Sequence, residues 1–276
     1  MNSPPRGGNQ ATTTPVPGSL GRAHPVVEGG LHAGNDHDRE PACSGLLSVS
    51  LTDRERKWDC RAMTKRILPV LGVVLMLLGT FLHPMHADPA DPAAAFAEYA
   101  ADKTWLFSHL VQFIGVAALL ISLLHLTQSW VASLPVVAIR AGAVASLALA
   151  AALQAVDGVA LKQMVDHWTA AAADTGANTA LLAASIAVRS VEIGFAALFG
   201  IVLGLTLATL GLMLFRLPRS QPVLGGLGIA GGLAVASGGV LTGYGGFTEL
   251  PMLVNMGASL FVLGWYLVVV WRMDRP

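Results

Sequence analysis

Thr104–Ile139 reads TWLFSHLVQFIGVAALLISLLHLTQSWVASLPVVAI, thirty-six residues without an Asp, Glu, Lys or Arg. A membrane helix needs about 20 mostly apolar residues to cross roughly 30 Å of hydrocarbon. This run is long enough for one such helix and the beginning of the next. Further uncharged runs cover 67–87, 141–156, 193–215, 220–248 and 250–271. Together they predict membrane helices near 66–84, 105–127, 136–158, 188–214, 222–243 and 251–271. The expected fold is all-α, an integral membrane six-helix bundle preceded by a disordered N-terminal leader.

The composition agrees with this division. The chain has 276 residues, 54% of them hydrophobic, 12% charged, and a net charge of zero. Soluble domains carry about 25% charged residues. Residues 1–66 hold 16 of the 34 charges, so the remaining 210 residues are more apolar than the average suggests. Neutrality argues against a nucleic-acid partner, which would call for a basic face. The expected partner is the lipid bilayer.

Residues 1–62 are read as a disordered leader. Up to residue 52 the chain is rich in Pro, Gly, Ser, Thr, Asn and His, and buries too little apolar surface to offset its ordering entropy. Met63, followed by Lys65, Arg66 and an apolar run, also has the form of a translation start. A genuine cytoplasmic tail and an over-extended start are both open. Residues 63–276 are the transmembrane domain. Its first helix is read as retained, although Met85-His86-Ala87 has the form of a signal-peptide cleavage site.

Cys43 and Cys60 both fall in the leader, so the transmembrane domain has no thiol chemistry. HExxH, GxSxG and GxxxxGK[ST] are absent. Gly226-Leu-Gly228-Ile-Ala-Gly231 matches GxGxxG but lies in an apolar run, where glycines let helices approach closely. Gly228/Gly232 and Gly239/Gly243 are the expected packing pairs, with the third and fifth spans central. His109 and His125 are 16 residues apart, which rotates them by about 160° onto opposite helix faces, unlike paired haem ligands. No cofactor is expected from these signatures.

Basic residues give the orientation. Arg54, Arg56, Lys57, Arg61, Lys65 and Arg66 precede the first helix. Arg140, Arg216, Arg219, Arg272 and Arg275 fall at the same side of an even-numbered bundle. The opposite side has Lys103, Lys162 and Arg189 among Asp88, Asp91, Glu98, Asp102, Asp166, Asp174 and Glu249. Both termini are therefore expected in the cytoplasm. Trp105, Trp130, Trp265, Tyr266 and Trp271 are expected as interfacial aromatics. AAAFAEYAA is expected as a short surface helix, and the third and fourth spans should project outward and join near Thr175–Asn178.

Ionisable residues at membrane depth are costly and point to function. His109 and Gln112, Gln154 and Asp157, and Arg189 and Glu192 form three i,i+3 pairs near the outer ends of their helices. Three readings stay open. In the first, His109, Gln112, Gln154, Asp157, Arg189 and Glu192 line an outward-facing pocket that binds or passes a small polar ligand or ion. In the second, His109, Asp157 and Glu192 serve a metal-dependent enzyme at the outer leaflet. In the third, the polar pairs only pack helices in a structural or assembly subunit, with Arg189 and Glu192 paired at a helix end.

The stretch Asp91–Gly115, DPAAAFAEYAADKTWLFSHLVQFIG, resembles uncharacterised bacterial multi-pass membrane proteins of the domain-of-unknown-function kind. In them an acidic, Ala-rich outer loop leads into a helix bearing His and Gln. Glu192 in its Ala/Gly/Leu-rich helix and the glycine-rich turn at 243–249 are similar too. The resemblance implies a bacterial cytoplasmic membrane and supplies no activity.

Overall fold

A computed structural model describes residues 53–84, 86–171, 173–216 and 222–273, with side chains from Arg66 onward. Residues 1–52 of the expected leader, and Arg219 and Arg275, lie outside the described residues. The regular structure among the described residues is entirely helical: α1 (Asp53–Leu82), α2 (Pro92–Ala101), α3 (Trp105–Thr127), α4 (Leu134–Gln154), a π-helical turn (Ala155–Leu161), α5 (Lys162–Ala170), α6 (Thr175–Arg216), α7 (Pro222–Gly245) and α8 (Glu249–Met273).

Among the described residues, five helical stretches are long and apolar enough to cross a membrane: Trp105–Thr127, Leu134–Ala170, Thr175–Arg216, Pro222–Gly245 and Glu249–Met273. The chain is therefore a multi-pass membrane protein by length and composition. The apolar part of α1, Arg66–Leu82, falls short of that length. Its helix stops at Leu82 because Pro84 disfavours a helical conformation at His83. His83, Pro84, His86 and Ala87, near the end of the uncharged run 67–87, thus lie outside the helix. At its other end α1 begins at Asp53, upstream of Met63.

The short helix expected at AAAFAEYAA is α2. Asp91 caps it by accepting from the backbone N–H groups of Ala93 and Ala94, and a proline occupies its first position. Asp174 caps α6 through Gly176 and Ala177 in the same way. Several acidic residues at this end of the bundle therefore serve helix starts.

Glycine fixes the closest helix contacts. A Cβ on Gly204 would collide with the Ala236 backbone, and one on Gly232 with that of Ala208. Gly200 meets Gly239 and Gly211 meets Gly228 along the same seam, so α6 and α7 touch backbone to backbone. Gly72, Gly79 and Gly115 do the same for α1 against α3. The hub is α6, which packs on α4, α5 and α7. The third span is not central, contrary to the expectation from its small residues. The α4 helix buries only Val136, Ile139, Ala143, Ser146 and Ala150, a single stripe at three- and four-residue spacing.

The main core lies in the half of the bundle away from α2, where Leu123, Ile139, Leu210, Leu214 and Val269 are buried. Ser122 Oγ and Tyr266 Oη meet at 2.7 Å within it. Arg140 closes this end by donating to the carbonyls of Thr127, Gln128 and Trp130, at and just beyond the C-terminus of α3. Of the expected interfacial aromatics, Trp265 and Tyr266 are core residues, and the Trp265 indole donates to Leu224 O. Trp271 is exposed.

Candidate functional site

Two polar rungs join α3 to the neighbouring helix. His109 Nε2 lies 2.9 Å from Asp157 Oδ2, and Gln154 Nε2 donates to Gln112 Oε1 at 3.2 Å. Each rung moves three residues forward on one helix and three back on the other, as an antiparallel pair requires. Gln112 continues the second rung by donating to Thr80 Oγ1 on α1.

The π turn shapes the first rung. Asp157 and Gly158 fall within Ala155–Leu161, where the widened coil breaks the ordinary i→i+4 ladder. Trp105 Nε1 donates to the Asp157 carbonyl at 3.2 Å. A Cβ at Gly158 would stand 3.0 Å from His109 Cβ, so the missing side chain lets the π turn close on α3.

His109 is 2% exposed and its Nδ1 lies 2.8 Å from Trp105 O. The indole of Trp105, itself buried rather than interfacial, stacks obliquely on the His109 ring at 4.5 Å between centroids. His83, just beyond α1, adds a third ring, 5.0 Å from His109 and 4.7 Å from Trp105. His83 Nδ1 lies 2.9 Å from Pro84 O. Burial pushes the His83 imidazole below its ordinary value, although the Asp157 carboxylate pulls the other way. One ligand atom from each of His83, His109 and Asp157 lies within 4.8 Å of the others.

Both Arg189 and Glu192 are buried on one face of α6. Among the described residues they form no ion pair, so the expected pairing at a helix end does not occur. Arg189 sits instead over the rings of Phe96, Tyr99 and Phe247 at 5.5–5.8 Å, and its Nη2 donates to Pro89 O. Burial raises the Tyr99 hydroxyl above its ordinary value, opposed by Arg189 and reinforced by Glu192 and Asp157. The charged neighbours of Glu192 are Asp157 and Arg189. Five buried atoms of this end have no hydrogen-bond partner: Asp102 Oδ2, Gln154 Oε1, Trp168 Nε1, Arg189 Nη1 and Glu192 Oε2.

The α2 helix roofs the cluster with Phe96 and Tyr99, the latter 4.5 Å from the Trp105 ring. It is tied down at its C-terminus by Lys162 Nζ, which donates to Ala100 O and pairs with Asp166. Glu98 holds the preceding loop by accepting from the backbone N–H groups of His86 and Ala87.

All six residues expected at the site lie at this end of the bundle, in two directly bonded pairs and one buried face of α6. The sequence reading missed His83 and the aromatic roof. The density of aromatics around 96–105 was the available signal. No family model, curated protein or solved structure matches the chain.

Proposed function

We propose that the protein is a six-span membrane protein of a bacterial cytoplasmic membrane, with both termini in the cytoplasm, that binds a small polar ligand or ion at the α2 end of the bundle. The basic residues in the first half of α1, at Arg140 and at the ends of α6 and α8 support the orientation, since cytoplasmic flanks collect Arg and Lys. They put the α2 end on the outer face.

One observation carries the binding role. Gln154, Arg189 and Glu192 each keep a buried polar atom without a protein partner, beside the His109–Asp157 pair. Polar side chains that only pack helices satisfy one another, because each unpaired buried group costs about 1–3 kcal/mol. Here most of that cost is retained at one end of the molecule, which suits a site completed by a polar guest.

The test is thermal unfolding of the detergent-purified protein against a panel of amino acids, carboxylates, phosphate, and monovalent and divalent ions. A solute that raises the unfolding temperature of the wild type and not of His109→Ala is the expected result. A panel without such a solute overturns the reading.

A further inference from the structure

We propose that His83, His109 and Asp157 coordinate a divalent transition-metal ion of the zinc and iron(II) class. The inference rests on the binding role proposed above and names the ligand of that site.

The donor atoms are near coordinating distance. Imidazole and carboxylate donors stand about 2.0–2.2 Å from zinc, which puts neighbouring donors roughly 3–3.6 Å apart. The three side chains have one donor each within 4.8 Å of the others, so side-chain rotations of about 1–2 Å would close the set. The ligands come from three separate elements: the end of α1, the second turn of α3 and the π turn.

The hydrogen bonds select the ligating form of both rings. His109 Nδ1 faces Trp105 O at 2.8 Å, and His83 Nδ1 faces Pro84 O at 2.9 Å. A carbonyl oxygen only accepts, so each Nδ1 carries a proton, which leaves Nε2 as the nitrogen through which each ring can ligate. Metal-binding histidines are held this way, with the far ring nitrogen donating to a backbone carbonyl or carboxylate.

At the first rung, His109 Nε2 stands 2.9 Å from a carboxylate oxygen. Two acceptors meet so closely only with a positive charge to share, either a proton or a cation. A metal ion would take a donor from His83 as well, which a proton shared by His109 and Asp157 does not do.

Donor chemistry sets the class of ion. Two imidazoles with one carboxylate suit zinc and iron(II), whereas calcium and magnesium take oxygen donors. Three protein ligands leave a coordination position open. Glu192 is a further carboxylate beside Asp157, with Oε2 unpartnered.

The test uses full-length protein in detergent, stripped with a chelator and titrated with Co(II) and then Zn(II). The expected result is one Co(II) per chain with the visible absorption of a four- or five-coordinate ion, displaced by Zn(II). His83→Ala and Asp157→Asn should weaken Co(II) binding by at least about tenfold, while the exposed His125→Ala leaves it unchanged. Unfolding temperatures of the stripped variants separate ligand loss from misfolding. Absence of stoichiometric Co(II), or binding indifferent to His83→Ala in folded protein, overturns the metal site. If Co(II) fails to bind while a non-metal solute still stabilises the protein through His109, the metal falls and the wider binding role stands. If neither binds, both fall.

Discussion

The Nε2 of His109 lies 2.9 Å from Oδ2 of Asp157, which is 48 residues further along the chain, and both side chains are largely shielded from solvent. Residues in such direct contact couple by about 0.5–3 kcal/mol. His109→Ala and Asp157→Ala should each lower the unfolding temperature, and the double variant should lose clearly less than the two losses combined. Thermal unfolding of the four proteins in one detergent measures this; strict additivity would contradict the pair.

The α6–α7 seam makes a second, position-specific prediction. Gly204→Ala sets a methyl group against the Ala236 backbone and should cost about 1–3 kcal/mol, because backbone cannot step aside as a side chain can. Gly257 on α8 has nothing within 4 Å of where a Cβ would go. Gly257→Ala should be neutral or stabilising by up to about 1 kcal/mol through helix propensity. Equal effects from the two substitutions would argue against the seam.

Arg140 is expected to hold the α3 C-terminus. Its guanidinium serves the carbonyls of Thr127, Gln128 and Trp130 at once. Arg140→Gln should destabilise by about 1–3 kcal/mol. Hydrogen exchange should rise at Thr127–Trp130, while protection of α8 stays unchanged.

Glu98 gives a pH dependence. Burial alone would raise its carboxyl, but the backbone N–H groups of Ala87 and His86, together with the His86 ring, outweigh burial and lower it below the ordinary value of 4.5. A folded value below the unfolded one means full stabilisation above about pH 4.5, lost as pH falls through the folded value. Unfolding temperature should therefore drop in acid below that point, and the drop should be shallower in Glu98→Gln. Parallel curves would exclude the loop contact as its source.

The proposed orientation is open to labelling. Both natural cysteines, Cys43 and Cys60, precede the transmembrane domain, so replacing them with serine gives a thiol-free chain. With an impermeant maleimide on intact cells, Ala97→Cys on α2 should react and Ala132→Cys between α3 and α4 should not. The opposite pattern would invert the topology.

Much of this arrangement was legible in the residues. Uncharged runs marked five spans, and the i,i+3 spacing of His109/Gln112 and Gln154/Asp157 foreshadowed two rungs. The first span was read too generously, because an uncharged run counts His83–Ala87 and a helix ending ahead of Pro84 does not. Trp105 looked interfacial because it sits at a helix start, yet the fold of α2 over it puts it inside. The π turn left no sequence signature, since it depends on how Gly158 meets His109 rather than on any local propensity. His83 belongs to the cluster only through tertiary packing of α1 on α3 at Gly72, Gly79 and Gly115.

Trp105 lies under the roof of the cluster and is the hydrogen-bond donor to the π turn, with its indole against both histidines. The molecule therefore carries its own optical gauge. Any change of charge or occupancy at His109 perturbs the emission of an indole in direct contact with it. Subtracting the spectrum of Trp105→Phe from that of the wild type isolates that signal from the other tryptophans, so the site can be followed in native membranes without an added label.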